Sequence, residues 1–194
     1  MKNLFLLSLI LGVTLCSEAQ VRLGVKAGYN LSTLRYIGLV QLTNQKSQSG
    51  FNAGLLVSIP LSEYISLQPE ASYSTQGTKY QIDTANAAYH YNYLNIPILI
   101  KYQHATGLFA ETGFHIGFPL IAKNVVAGKS EDIKSKTYSP DYAWVAGLGY
   151  IMPETNLSID IRYNLGLISI TSPEGGDLTR VKNSVFQIDL IYLF

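Results

Sequence analysis

The chain has 194 residues, a formal net charge of +1 and a charged fraction of 14%, well under the roughly 25% usual for a soluble domain. That balance excludes a nucleic-acid binder held by a basic surface, and the length suits one domain or one small barrel. Tyrosine is abundant, with 14 copies beside 16 glycines and one tryptophan, a mixture suited to β-structure that meets a membrane interface.

The first element is a targeting segment. Lys2 precedes an almost unbroken apolar run from Leu4 to Leu15, and Ser17-Glu18-Ala19 places small residues at the two positions a signal peptidase reads. The run spans about 12 residues, short of the ~20 a spanning helix needs. Residues 1–19 are therefore expected to be a signal peptide cut after Ala19 or Gln20, with 20–194 as the exported domain. Cys16 opens a lipoprotein alternative, but Leu15 before it is not the small residue lipid attachment wants. Removing the segment removes the one cysteine, and with it any disulfide or thiol chemistry. No later stretch reaches 18 uninterrupted apolar residues, so no transmembrane helix is expected.

Eight segments then alternate with period two, the signature of strands with two different faces. At 22–32, Leu23, Val25, Ala27, Tyr29 and Leu31 oppose Gly24, Lys26, Gly28, Asn30 and Ser32. At 51–59, Phe51, Ala53, Leu55, Val57 and Ile59 oppose Asn52, Gly54 and Ser58. At 65–76, Ile65, Leu67, Ala71 and Tyr73 oppose Ser66, Gln68, Glu70, Ser72 and Ser74. At 92–102, Leu94, Ile96, Ile98, Ile100 and Tyr102 oppose Asn95, Pro97, Leu99 and Lys101. At 108–118, Leu108, Ala110, Thr112, Phe114, Ile116 and Phe118 oppose Phe109, Glu111, Gly113, His115 and Gly117. At 142–151, Tyr142, Trp144, Ala146, Leu148 and Tyr150 oppose Ala143, Gly147 and Gly149. The clearest is 157–167, where Leu157, Ile159, Ile161, Tyr163, Leu165 and Leu167 oppose Ser158, Asp160, Arg162, Asn164 and Gly166. At 185–194, Phe186, Ile188, Leu190, Tyr192 and Phe194 oppose Gln187 and Asp189.

Each segment is about ten residues, the length a tilted strand needs to cross a bilayer. The connections alternate. Those at 60–63, 104–106 and 153–156 are short, while those at about 35–49, 79–90, 122–141 and 171–183 are long and polar. An open sheet in lipid would leave backbone groups unpaired, so the sheet must close. These features predict an all-β fold: an eight-stranded antiparallel up-and-down transmembrane β-barrel with short periplasmic turns and long extracellular loops. Location in the outer membrane follows. Tyr29, Phe51, Tyr64, Tyr73, Tyr91, Tyr93, Tyr102, Trp144, Tyr150, Tyr163 and Tyr192 lie near strand ends and read as an interfacial girdle. The competing reading of these aromatics is the core of a soluble barrel.

The hydrophilic faces carry Lys26, Lys101 and Arg162 with Glu70, Glu111, Asp160 and Asp189, so opposite charges nearly cancel. An eight-stranded barrel is just wide enough for side chains to fill it. These seven residues and His115 are therefore expected to form a structural polar network in the lumen, with Gln68, Asn52, Asn164 and Gln187 satisfying leftover groups. The functional alternative is acid–base work by Glu70 with Glu111, or by Glu111 with His115. His90 and His104 read as loop and turn residues. No zinc spacing, nucleophile elbow, phosphate loop or calcium loop occurs, so no catalytic, cofactor or metal residue is assigned.

Several stretches resemble the outer-membrane β-barrel family of Bacteroidetes that includes the PorT-type proteins. They are Gly24-Val25-Lys26-Ala27-Gly28-Tyr29-Asn30, Pro69-Glu70-Ala71-Ser72-Tyr73-Ser74 with Gln76-Gly77, and Tyr93-Leu94-Asn95-Ile96-Pro97-Ile98-Leu99-Ile100-Lys101-Tyr102. Gly147-Leu148-Gly149-Tyr150 and Ile161-Arg162-Tyr163-Asn164-Leu165-Gly166-Leu167 complete the set. Phe194 after Tyr192 is similar to the aromatic ending that the barrel-assembly machinery reads in this class. The resemblance implies a single barrel in the outer membrane, no catalytic residues, and a link to protein secretion as in PorT-type relatives. The expected partners are outer-membrane lipid, the barrel-assembly machinery, and envelope proteins or surface glycans met by the four long loops. The expected role is structural or interactive at the cell surface. A narrow pore, a small-ligand carrier and an outer-membrane enzyme with a lumen or loop site are the alternatives.

Overall fold

The computed structural model of the chain describes residues 20–38, 43–82, 85–137, 140–171 and 180–194. The expected signal peptide, 1–19, and residues 39–42, 83–84, 138–139 and 172–179 lie outside the described residues.

The strands are β1 (Arg22–Ile37), β2 (Thr43–Pro60), β3 (Ile65–Ile82), β4 (Ala85–Gln103), β5 (Leu108–Val126), β6 (Lys129–Asp132), β7 (Asp141–Ile151), β8 (Leu157–Gly166) and β9 (Arg180–Leu193). All pairings are antiparallel, in the order β4-β3-β2-β1-β9-β8-β7-β5, and β4 pairs with β5 to close a ring of eight. The short β6 hangs on the outer end of β5, where Val126 meets Lys129. Closure joins the first and last strands, with Gly28 opposite Asp189 and Asn30 opposite Gln187. This is the eight-stranded barrel expected from the alternation.

Side-chain faces follow parity. Along β4, Ile98 is 55% exposed and its neighbour Leu99 is 0% exposed. A soluble protein would hide such residues, and here an apolar outer band of Leu, Ile, Phe, Tyr and Trp runs around the cylinder while polar residues fill its middle. That inversion is what a lipid solvent selects.

Two expectations need correction. The segments 35–49 and 79–90 are not long loops. Strands β1 to β5 run for 16 to 19 residues, and β2/β3 and β3/β4 continue as ladders to the hairpin ends. The apolar-outside alternation stops there because the outward face leaves the lipid while Tyr80, Ala87 and Tyr89 pack inside, whereas backbone pairing needs no apolar stripe. His90 is accordingly a strand residue, opposite Gly77 and Lys123, and not a loop residue. Secondly, Tyr91 and Tyr93 are not girdle residues. Each is 1% exposed and points into the barrel, as the parity of Asn95 and Lys101 in the same strand requires. The short turns are as expected, and Gly107 takes a φ of 90° in the one between β4 and β5, a backbone state that suits glycine.

Candidate functional site

The lumen is stacked in layers along the axis. Its central layer is ionic. Lys26 from β1 donates to Glu70 of β3 at 3.0 Å and to Asp189 of β9 at 3.1 Å. Arg162 from β8 reaches Glu70 at 2.9 Å, Asp160 at 2.8 Å and Glu111 of β5 at 2.5 Å, with Asp189 at 3.9 Å. All six residues are at most 4% exposed. They come from five strands, and each is on the inward parity of its strand. The guanidinium, with its fixed fork of donors, is the only kind of side chain that can serve so many carboxylates in one plane.

An amide layer adjoins it. Gln68 Nε2 donates to Glu70 Oε1 at 2.7 Å, and Asn52 Nδ2 donates to Asp189 Oδ1 at 2.7 Å and to Asn30 Oδ1 at 2.9 Å. Asn164 Nδ2 donates to Gln187 Oε1 at 2.7 Å, and Gln187 Nε2 passes the chain on to Asn30 at 2.8 Å. The amides extend the Glu70 and Asp189 ends of the ion pairs into a hydrogen-bonded web, which helps a buried charge to be tolerated, while both Glu111 oxygens and Asp160 Oδ1 are buried without a hydrogen bond from a described residue.

Two residues expected in this network are buried beside its ion pairs without joining them directly. Lys101 lies with Nζ 3.6 Å from the centre of the Phe109 ring and makes no hydrogen bond or ion pair with a described residue. Although Glu111 is its register partner, that carboxylate is turned to Arg162. His115 is buried and makes no side-chain hydrogen bond or ion pair with a described residue. The Glu111–His115 and Glu70–Glu111 acid–base pairings are therefore not formed, because Arg162 holds both carboxylates.

Toward the long-loop end lies a layer the sequence reading missed. Leu34, Tyr91, Tyr93, Ala122, Ile170 and Val181 form the apolar cluster, with Tyr36, Tyr89 and Ile133 packed against it. Tyr80, Tyr89, Tyr91 and Tyr93 make a continuous stack with ring centroids 5.0 to 6.3 Å apart. The signal was present as Tyr89, Tyr91 and Tyr93 at period two on the inward parity of β4. Asp141, 2% exposed, sits at the start of β7 with Asn183 Nδ2 3.5 Å away. Above the apolar band, His90 pairs with Gln48 at 2.7 Å, and partial burial together with the Lys79 charge holds its pKa below the ordinary histidine value. Among the described residues no group of three His, Cys, Asp or Glu side chains could hold a metal ion.

A closed ring of eight strands, apolar outside and ion-paired within, defines a small outer-membrane β-barrel. The chain belongs to the family described as outer membrane protein beta-barrel domain, which it matches over residues 17–172. Among solved structures it is similar to Neisserial surface protein A (NspA), at 10% identity and a TM-score of 0.52, over 90% of this chain and 97% of that one. It is also similar to Ail, the attachment invasion locus protein of Yersinia pestis, at 18% identity and a TM-score of 0.49, over 89% of this chain and 98% of that one. A third is the outer membrane protein OprG from Pseudomonas aeruginosa, at 12% identity and a TM-score of 0.49, over 89% of this chain and 95% of that one. The likeness to NspA shows a shared fold. No curated protein sequence matches the chain. The protein is an outer-membrane barrel.

Proposed function

We propose that the barrel serves as a non-catalytic interaction module at the cell surface, presenting strand extensions and hairpin tips to envelope proteins or surface glycans. The observation that carries this reading is the length of β1 to β5. They run for 16 to 19 residues, while about ten suffice to cross the bilayer. The excess is a hydrogen-bonded wall, braced from within by the Leu34–Tyr91–Val181 cluster. A braced wall holds its outer strand ends in fixed positions, and fixed positions reduce the ordering cost of binding. Mutual pairing of the lumen charges supports the non-catalytic part of the reading, since carboxylates fixed on Arg162 are poor bases. The PorT-type resemblance supports a partner from a protein-secretion apparatus as the finer form of the proposal. Assembly through the barrel-assembly machinery belongs to the same reading.

The test is photo-crosslinking in intact cells. A crosslinkable residue at Gly128, in the tip joining β5 to β6, is expected to give a discrete adduct, and one at Thr106 in the opposite turn is expected not to give the same adduct. Absence of any adduct at Gly128 and at a second tip position, Ala85, would overturn the proposal.

A further inference from the structure

Four basic residues stand side by side on the outer wall of the barrel, toward the long-loop end. Lys46 of β2 lies directly opposite Lys79 of β3, and His90 of β4 lies directly opposite Lys123 of β5. Lys79 is opposite Ala88, so His90, two residues further along β4, is its diagonal neighbour. All four are exposed, while Thr78, Tyr80, Tyr91 and Ala122 beside them in sequence are buried, so the row faces away from the lumen. Cross-strand neighbours of these two kinds have Cβ atoms about 5 to 8 Å apart, close enough for long side chains to meet on one anion.

Like charges directly opposite in a sheet repel. The side chains of Lys46, Lys79 and Lys123 make no hydrogen bond or ion pair with a described residue. Between residues 43 and 103 the acids are Glu63, Glu70 and Asp83. Glu63 is in the turn at the other end, Glu70 is bonded in the lumen, and Asp83 lies outside the described residues. Asp132 of β6 is in register with Lys123, and its Oδ1 accepts the Lys134 backbone N–H at 2.8 Å. It tempers the β5 end of the row, so the Lys46–Lys79 pair is the centre. Gln48 occupies His90 Nδ1 at 2.7 Å, which leaves Nε2 for a ligand.

Ile121, two residues before Lys123 and 41% exposed, belongs to the apolar band. An outward wall just beyond that band borders lipid headgroups. We propose that this row binds the phosphate of a lipid headgroup in the outer leaflet, with Lys46 and Lys79 sharing its charge and His90 and Lys123 flanking them. A phosphate monoester offers three strong acceptor oxygens, so one headgroup bridges two opposed ammoniums and turns their repulsion into a shared contact.

The test places the folded barrel in nanodiscs of phosphatidylcholine with a rising fraction of phosphatidic acid, read by backbone amide chemical shifts. Saturable shifts are expected at Lys46, Lys79, His90 and Lys123. Lys79→Gln should weaken the response about fivefold, the worth of one lysine near an anionic surface, and Lys46→Gln with Lys79→Gln about tenfold or more. The single variant decides the matter if the double one does not fold. Lys129→Gln with Lys134→Gln removes the same charge from exposed positions outside the row and should change the response less than about twofold, screened by salt. Inorganic phosphate added to pure phosphatidylcholine discs should give no saturable shift at these residues. No saturable response to phosphatidic acid, an equal loss in the two double variants, or an unchanged response in Lys79→Gln would each overturn the proposal. Saturation by inorganic phosphate would overturn it too, by making the row a site for anions in solution.

Discussion

Arg162 is the residue on which the lumen depends. It is 1% exposed and has four carboxylates within 4 Å, from Glu70, Glu111, Asp160 and Asp189. Lys26 is the only other cation that bonds to this group among the described residues. Removing Arg162 leaves four buried acids with Lys26 as the one cation bonded to them among the described residues. Breaking a buried pair from one side costs about 3–5 kcal/mol. Arg162→Met is therefore expected to lower stability by about that amount, measured as a shift in the urea midpoint of the barrel in lipid vesicles. Arg162→Lys should recover little, because a point charge cannot occupy the positions of Nε, Nη1 and Nη2 at once. An unchanged midpoint in Arg162→Met would show that the carboxylates carry no net charge in the folded barrel.

Among the elements, β1 closes the ring by joining its first strand to the last, β9. Gly28 faces inward opposite Asp189, and a methyl group added there would overlap both the Asp189 carboxylate and the Ile188 carbonyl. Glycine is required by space, not by its backbone angles. Gly28→Ala is expected to destabilise the barrel by about 1–3 kcal/mol through overpacking, again read from the urea midpoint. Ala27→Gly, one residue away on the lipid face, should shift it by less. At the level of elements the sequence was legible wherever one face was apolar. The parity of 157–167 and 108–118 placed Asp160, Arg162, Glu111 and His115 inside without error. It failed above the membrane, in 35–49 and 79–90, where the apolar residues turn inside, as Tyr80 and Ala87 do, and no apolar outer face marks a strand that continues nonetheless.

Across the whole molecule, two separate layers close the cylinder: the Lys26–Arg162 ion pairs and the Tyr80–Tyr93 stack. A pore would need both removed. The intact protein is expected to show no stepwise conductance in planar bilayers, and Arg162→Met or Tyr91→Ala alone should leave it closed. The double variant should conduct. Conductance by the intact protein would favour the pore reading and show that the layers move. The outer layer was hidden from sequence reasoning because tyrosine suits both a lipid interface and a packed lumen. The parity shared with Asn95 and Lys101 in β4 decides that Tyr91 and Tyr93 meet the lumen.

By itself the sequence determined which side of each strand is apolar, how many strands cross, and which charged residues point inward. Those properties follow from a two-residue period that any neighbour in the sheet must respect. The tertiary structure alone decided which charge meets which, that the Lys101 ammonium rests on the Phe109 ring, and how far the strands run beyond the membrane. Such facts depend on the stagger between strands distant in sequence, as where Gly28 meets Asp189, and no local pattern encodes that stagger.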